Sequence, residues 1–380
     1  MMLPTLAADP RIELVAAADP RPEATRRFAA DFGARTYDAF APLCADPAVD
    51  AIYIATPHQH HAEHAIAAAA HGKHLLVEKP MAITLVECRQ MIEAARWAGV
   101  HLVVGHSHSF DRPIARAREI VAGGTVGAVR MITAQYHTDF LYRPRRPEEL
   151  DTARGGGAVF SQGAHQIDIV RLLGGGRVRS VRAQTGAWDA ARPTEGAYAA
   201  LLTFDDGAFA SLTYSGYGHF DGNELCGGYT EVGLPMDPSR YGAARRGLAL
   251  ATNAAQEAAA KNARNYGGAD YAASTDNMPR PWHQHFGLVI VSCERADLRP
   301  LPNGVMIYGD GDATLDPLPP PGVPRAEVVD ELVAAVLDGV PPLHDGAWAM
   351  ATLEVCVAVL ASAREQREVA LEHQVRVPGS

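Results

Sequence analysis

The chain has 380 residues, 47% of them hydrophobic, and its 34 Lys and Arg against 44 Asp and Glu give a net charge of −10. That length accommodates two domains of ordinary size. The acidic balance, with no basic stripe beyond one short arginine cluster, argues against nucleic acid or anionic membrane as partners. No apolar run reaches the roughly 18–20 residues of a membrane span, and no charged segment followed by an apolar core opens the chain, so the cytoplasm is the expected compartment. Cys44, Cys88, Cys226, Cys293 and Cys356 are scattered and lack C-x-x-C spacing, which speaks against a disulfide framework or a zinc knuckle.

Residues 11–110 alternate short apolar runs with helical patterns, the signature of βαβ units and a parallel sheet. Strands are expected at 12–18, 51–56, 74–78 and 102–106, and helices at 22–32, 61–70 and 84–98. A dinucleotide-binding sheet starts with a strand and a G-x-G-x-x-G turn about 20 residues before the acidic residue that ends its second strand. Here that acidic residue is Asp19, and none of the 18 residues before it is glycine. Residues 1–8 read as the tail of the first helix. The fold is therefore expected to lack its first strand and phosphate-cradling turn, through a misassigned start or a real truncation, and to bind NAD(H) weakly. Asp19 still stands where a carboxylate accepts from the adenosine ribose hydroxyls, which favours NAD, while Arg21 leaves NADP open. An Asp-Pro turn capping the next helix accounts for Asp19 equally well.

The apolar run at 74–77 ends in Glu78-Lys79-Pro80, and chemistry in open α/β sheets collects beyond the carboxyl ends of strands. Pro80 keeps Lys79 out of the helical region. Only residues 73, 79 and 261 are lysine in a chain that otherwise uses arginine. An ammonium with a tunable pKa at Lys79 thus marks a proton-handling candidate, against the plainer account of a lysine solvating a sheet edge. Thr56, Pro57, His58 and His61 read with Glu78 as lining of the cofactor crevice. The sixteen histidines invite a metal reading, and His60 and His64 have i, i+4 spacing, but the glutamate of H-E-x-x-H is missing and no metal is expected.

From about residue 126 the pattern changes to strands at 129–136, 179–186, 197–204 and 208–214, joined by turns, with more at 286–292 and 304–308. Residues 216–281, rich in Gly, Asn, Ala and Tyr, read as a long insertion with a helix at 243–262. Closing helices are expected at 325–337 and 347–367. The expected architecture is a Rossmann-type doubly wound domain over 1–125, an α+β domain with a predominantly antiparallel open sheet over 126–324, and C-terminal helices and tail over 325–380 that pack back onto the first domain.

Two further groups carry chemistry. Ser161, His165 and Asp168 follow the triple glycine 155–157 and share one face at helical spacing. His165 suits proton transfer near neutrality and Asp168 can orient it, although a helix-start histidine in ordinary hydrogen bonds is the plainer account. Arg143, Arg145 and Arg146 crowd the loop just before. Guanidinium forks suit a vicinal dicarboxylate, and a solvated basic loop is the alternative.

With Ala55-Thr56-Pro57, Gly72-Lys73-His74, Glu78-Lys79-Pro80 and the Gly-Gly-Gly … Gly-x-His-x-x-Asp block, the stretch 12–308 resembles the Gfo/Idh/MocA oxidoreductases. The resemblance implies an NAD(P)-dependent dehydrogenase with Lys79 and His165 beside the nicotinamide, and a homo-oligomer, dimer or tetramer, built on the open sheet face. Members commonly carry an aspartate four residues before that histidine. Here Ser161 stands there, so a Lys-Asp-His triad does not carry over intact, and Asp168 is the expected orienting group. Within the family, Ser107-His108-Ser109-Phe110-Asp111, the loop 138–147, Phe160-Ser161-Gln162 and Phe286-Gly287 most resemble 4,5-dihydroxyphthalate dehydrogenases. The implied reaction converts the cis-4,5-dihydrodiol of phthalate to 4,5-dihydroxyphthalate, with Arg143, Arg145, Arg146, Ser161 and His108 on the substrate. The alternatives are a sugar or cyclitol dehydrogenase and a non-redox small-molecule binding protein.

Overall fold

The first strands of the chain pair in parallel, each followed by a helix. In a computed structural model that describes residues 2–271 and 280–378, α1 (Leu3–Ala8) precedes β1 (Ala16–Ala18), which passes through α2 (Pro22–Phe32) to pair with β2 (Arg35–Tyr37). After α3 (Phe40–Ala45), the strands β3 (Ala51–Ile54), β4 (His74–Val77) and β5 (Leu102–Val104) form a second parallel piece in the order β3-β4-β5. The helices α4 (His61–Ala70) and α5 (Leu85–Ala98) link them. The expected strand at 12–18 is reduced to its last three residues, and among the described residues no ladder joins the two pieces. Local chemistry sets the helix ends. Thr84 Oγ1 accepts the Glu87 N–H at 3.2 Å while Glu87 accepts the Thr84 N–H at 2.9 Å, a capping box that starts α5.

After α6 (Arg112–Ala122) comes a nine-stranded sheet in the order β13-β12-β11-β10-β6-β9-β8-β7-β14. Its strands are β6 (Val129–His137), β7 (Val178–Gly186), β8 (Ala197–Phe204), β9 (Phe209–Ser215), β10 (Leu288–Cys293), β11 (Asp297–Leu301), β12 (Gly304–Tyr308), β13 (Ala313–Pro317) and β14 (Val369–Ala370). Every neighbour is antiparallel except the parallel pair β6 and β9. Alternation puts Leu202, Ala210 and Leu212 under α7 (Ala164–Leu173), all of whose residues are buried, and leaves Leu201 and Phe209 exposed on the far face. The helix expected at 243–262 is two, α8 (Ala243–Leu248) and α9 (Ala254–Ala263), because Asn253 caps a fresh start by accepting the Gln256 N–H at 2.9 Å.

The end of the chain returns to its beginning. α10 (Ala326–Asp338) buries Val328, Val329 and Leu332 with Met2 and Leu6 over Leu76 and Val103 of the first domain. The Val104 N–H donates to the His344 carbonyl at 2.8 Å, which lays the chain beside β5 just before α11 (Gly346–Glu365). That helix has the length and apolarity to cross a membrane, yet most of it is buried against α5, α7 and β7, the position of a core helix.

Candidate active site

Lys79 leaves the carboxyl end of β4 and meets a distorted helix start. At Gly155 (φ 78°) a Cβ would lie 2.3 Å from the Ile83 side chain, and at Gly157 (φ 83°) 2.1 Å from Glu195, so this close turn admits only glycine. Glu195 in turn accepts the Val159 N–H at 3.1 Å. The chain then makes a π-helical turn at Val159–Gly163 before α7 begins, a feature frequent at functional sites. The Ser161 carbonyl accepts from Lys79 Nζ at 2.6 Å. Burial pushes the Lys79 ammonium down to about 8, against the pull of Glu78 and Glu231.

His165 is buried beside this lysine. Its Nδ1 has no hydrogen-bond partner, and burial, with the charges of Lys79 and His108 nearby, holds its pKa well below the ordinary value. The ring is therefore neutral at physiological pH. Phe286 lies 5.0 Å from it, and His108 meets it edge-on with ring centroids 4.8 Å apart.

The loop between β5 and α6 supplies the third wall. Asp111 accepts from His106 Nε2 at 3.1 Å and from His108 Nδ1 at 2.6 Å, and His108 Nε2 faces Glu231 at 3.4 Å. Burial opposes a charge on His108, but Asp111 and Glu231 outweigh it and raise its pKa to about 9. His106, with burial dominant, falls to about 3. The loop thus holds one imidazolium between two carboxylates.

The sequence-derived candidates divide accordingly. Lys79, His165 and His108 come together. Asp168 does not hold His165: its oxygens accept from Trp348 Nε1 at 2.6 Å, Thr352 Oγ1 at 2.7 Å and the Ser109 hydroxyl. A helical i, i+3 spacing sets the two on one face, but α11 captures the carboxylate first. Ser161 offers Lys79 its main-chain carbonyl. Arg146 turns away to Glu148 at 2.9 Å. Arg145 donates to the Phe140 carbonyl at 2.9 Å and lies over that ring, and its guanidinium is buried. Arg143 pairs through Nε with Asp139 at 3.1 Å and has the most exposed side chain of the three, 44% accessible.

On the cofactor side, Arg21 clasps the Asp19 carboxylate through Nε and Nη2 at 3.0 and 2.8 Å, while its buried Nη1 has no partner. His61 braces the crevice from within, its ring nitrogens 2.9 Å from the Thr56 and Pro80 carbonyls. Thr56 Oγ1 lies 3.2 Å from His64 Nδ1, on the same turn as Pro57. His58 Nδ1 lies 3.0 Å from the Gly155 carbonyl, and Glu78 accepts from the Tyr53 hydroxyl at 2.5 Å. These groups frame the strand ends.

Sequence reasoning missed Glu231, Asp111 and Phe286. The spacing His106-x-His108-x-x-Asp111 carried a signal for Asp111, whereas nothing local marks Glu231 within the long segment 216–281.

Comparison with known proteins fixes the family. The GFO/IDH/MocA oxidoreductase family, an NAD-binding Rossmann fold, matches residues 1–106, and the GFO/IDH/MocA C-terminal domain matches 114–225. A 1-carboxy-3-chloro-3,4-dihydroxycyclohexa-1,5-diene dehydrogenase of Comamonas testosteroni is 48% identical over 361 residues, 95% of this chain and 91% of that protein. The chain belongs to the GFO/IDH/MocA family. A crystal structure of a candidate dehydrogenase from Bordetella bronchiseptica RB50 superposes with a TM-score of 0.89 at 40% identity, covering 98% of this chain and 96% of that one. A trans-1,2-dihydrobenzene-1,2-diol dehydrogenase of Mus musculus shares 30% identity over 141 residues, 37% of this chain and 41% of its own length. As a member of the family, the protein is a dehydrogenase acting on CH–OH groups, and its N-terminal domain is an NAD-binding Rossmann fold.

Proposed function

We propose that this enzyme oxidises the cis-dihydrodiol of a ring carboxylate to the corresponding catechol. The observation that carries the reading is Lys79, half-buried and fixed by the Ser161 carbonyl beside a neutral His165, with a pKa lowered to about 8. The partnerless Arg21 Nη1 and His165 Nδ1 are buried polar atoms suited to a bound dinucleotide and its substrate. Asp19 and Arg21 would hold the adenosine end of NAD, and Thr56, Pro57, His58, His61, Glu78 and Lys79 would line its nicotinamide end. NAD held there would supply the acceptor for the hydride of the carbinol carbon. Lys79 takes the hydroxyl proton, His165 accepts the next hydrogen bond through Nδ1, and the hydroxydienone product tautomerises to the catechol. The net change is diol plus NAD⁺ to catechol plus NADH and H⁺.

The carboxylated diol is supported by Arg143, the most exposed of the three arginines, whose Nη edge is not used by its Nε pair with Asp139 and matches one carboxylate. The Comamonas relative, named for a carboxylated dihydroxycyclohexadiene, is consistent with it. The cis-4,5-dihydrodiol of phthalate is the second reading, favoured by the buried, partnerless Nε of Arg145, which leaves a donor for a second carboxylate. Steady-state NADH formation with the cis-dihydrodiols of benzoate and phthalate, against a cyclitol control, tests this. Turnover of the cyclitol alone would sink the dihydrodiol reading.

A further inference from the structure

The long segment 216–281 delivers a carboxylate to the centre of the site. Glu231 faces His108 Nε2 at 3.4 Å, its charge reaches Lys79, Arg143 and His285, and its main-chain carbonyl is fixed by the His285 N–H at 3.2 Å. On the other side of His108, Asp111 accepts from Nδ1 at 2.6 Å. Building on the dihydrodiol reading above, we propose that Glu231 and His108 form a receptor for the substrate's second, non-reacting hydroxyl, Glu231 accepting its proton and His108 donating to its oxygen.

Three observations favour this over other uses of the cluster. The first is complementarity: a hydroxyl is at once donor and acceptor, and a carboxylate beside an imidazolium N–H offers one of each. The second concerns position. Lys79 handles the reacting hydroxyl, and the Glu231 charge acts on that ammonium while its carboxylate meets His108 at 3.4 Å, so the pair belongs to the same site as the reacting group. The third decides against a cation held by His106, His108 and Asp111. Bonds of about 2.0–2.1 Å at tetrahedral angles keep two ligand atoms about 3.3 Å apart. The 2.6 Å separation of Asp111 and His108 is a hydrogen bond, and Asp111 divides its two oxygens between the two rings. Asp111 therefore acts as a positioning residue that holds His108 protonated and fixes the tilt of its ring.

The test uses binding of catechol-type products, so it does not depend on turnover. Calorimetric affinities of the intact protein with NADH are measured for 3,4-dihydroxybenzoate, 3-hydroxybenzoate and 4-hydroxybenzoate, in wild type and Glu231→Gln, with the melting temperature of each as a check on folding. A hydrogen bond to a charged group predicts about 10–100-fold tighter binding of the dihydroxy probe by wild type. In E231Q that preference should collapse, leaving the monohydroxy affinities within about threefold. Glu231→Asp, which keeps the charge, should restore part of it. Equal affinity of wild type for the three probes, or an E231Q loss shared equally by all of them, overturns the inference. A selective loss in a protein that oxidises no dihydrodiol would instead overturn the catalytic reading and leave the receptor standing.

Discussion

Lys79 donates its ammonium proton to the main-chain carbonyl of Ser161 at 2.6 Å, across the boundary between the parallel sheet and α7. The Ser161 carbonyl belongs to the π-helical turn at Val159–Gly163, and it aims a half-buried amine while leaving the Ser161 hydroxyl out of the bond. A backbone acceptor can orient the lysine without competing for its proton.

Lys79→Met should therefore lower turnover by about 10²–10⁴-fold, the usual cost of losing a positioned base, with NADH affinity nearly unchanged. Ser161→Ala, which preserves the carbonyl, should stay within about threefold of wild type. A Ser161→Ala enzyme as impaired as Lys79→Met in steady-state assays would show that the hydroxyl carries the role.

The pH profile follows from two opposite shifts. Lys79 works as a base only when neutral, so kcat/KM for diol oxidation should rise through its value of about 8. His108 donates only when protonated, so activity should fall through about 9. Glu231 raises both values, and in Glu231→Gln both limbs should move to lower pH. Stability follows His108 as well. Its folded pKa lies above the ordinary 6.5, so its stabilising contribution is complete below about 6.5 and is lost as pH rises through about 9. A profile whose alkaline limb is unchanged in His108→Ala would remove His108 from this account.

Much of this was legible in the chain because its signals are local. The strand at His74–Val77 and its terminal lysine lie in adjacent residues, and the capping box of α5 needs only Thr84 and Glu87. What escaped depends on partners far apart in sequence. Asp168 is claimed by Trp348 and Thr352 of α11, and Arg192 reaches Glu257 of α9 at 2.7 Å, a residue that also accepts the Arg145 N–H. Glu231 has no neighbours in sequence that mark it for the loop after β5. The arginine run was visible as composition, but how exposed each guanidinium stays depends on where Asp139, Glu148 and Glu149 come to rest.

That difference among the arginines is measurable. Arg143→Ala should raise KM for a carboxylated dihydrodiol by about 10–100-fold, as expected for a lost charge-assisted contact, with kcat changed little. Arg146→Ala removes half-buried pairs with Glu148 and Glu149, within the loop itself, and should leave KM within about twofold. Equal effects of the two substitutions would return the loop to the status of a general basic patch.

The last relationship separates scaffold from chemistry. Ser109, next to His108, donates to Asp168, and its oxygen lies 2.8 Å from His344 Nε2, whose Nδ1 faces Glu331 at 2.8 Å. A buried chain thus ties the loop after β5 to α7, α10 and α11. Asp168→Asn keeps one acceptor oxygen but turns an amide N–H₂ toward groups that are themselves donors, which should cost about 1–3 kcal/mol of stability. Because Asp168 makes no bond to His165, the folded fraction of Asp168→Asn should retain most of its kcat. Ser109→Ala should destabilise by a similar amount and also loosen His108, raising KM for the diol more than it lowers kcat. Thermal melts read alongside kinetics distinguish the cases: an Asp168→Asn enzyme with wild-type stability and a 10²-fold loss of kcat would put that carboxylate back into the proton pathway.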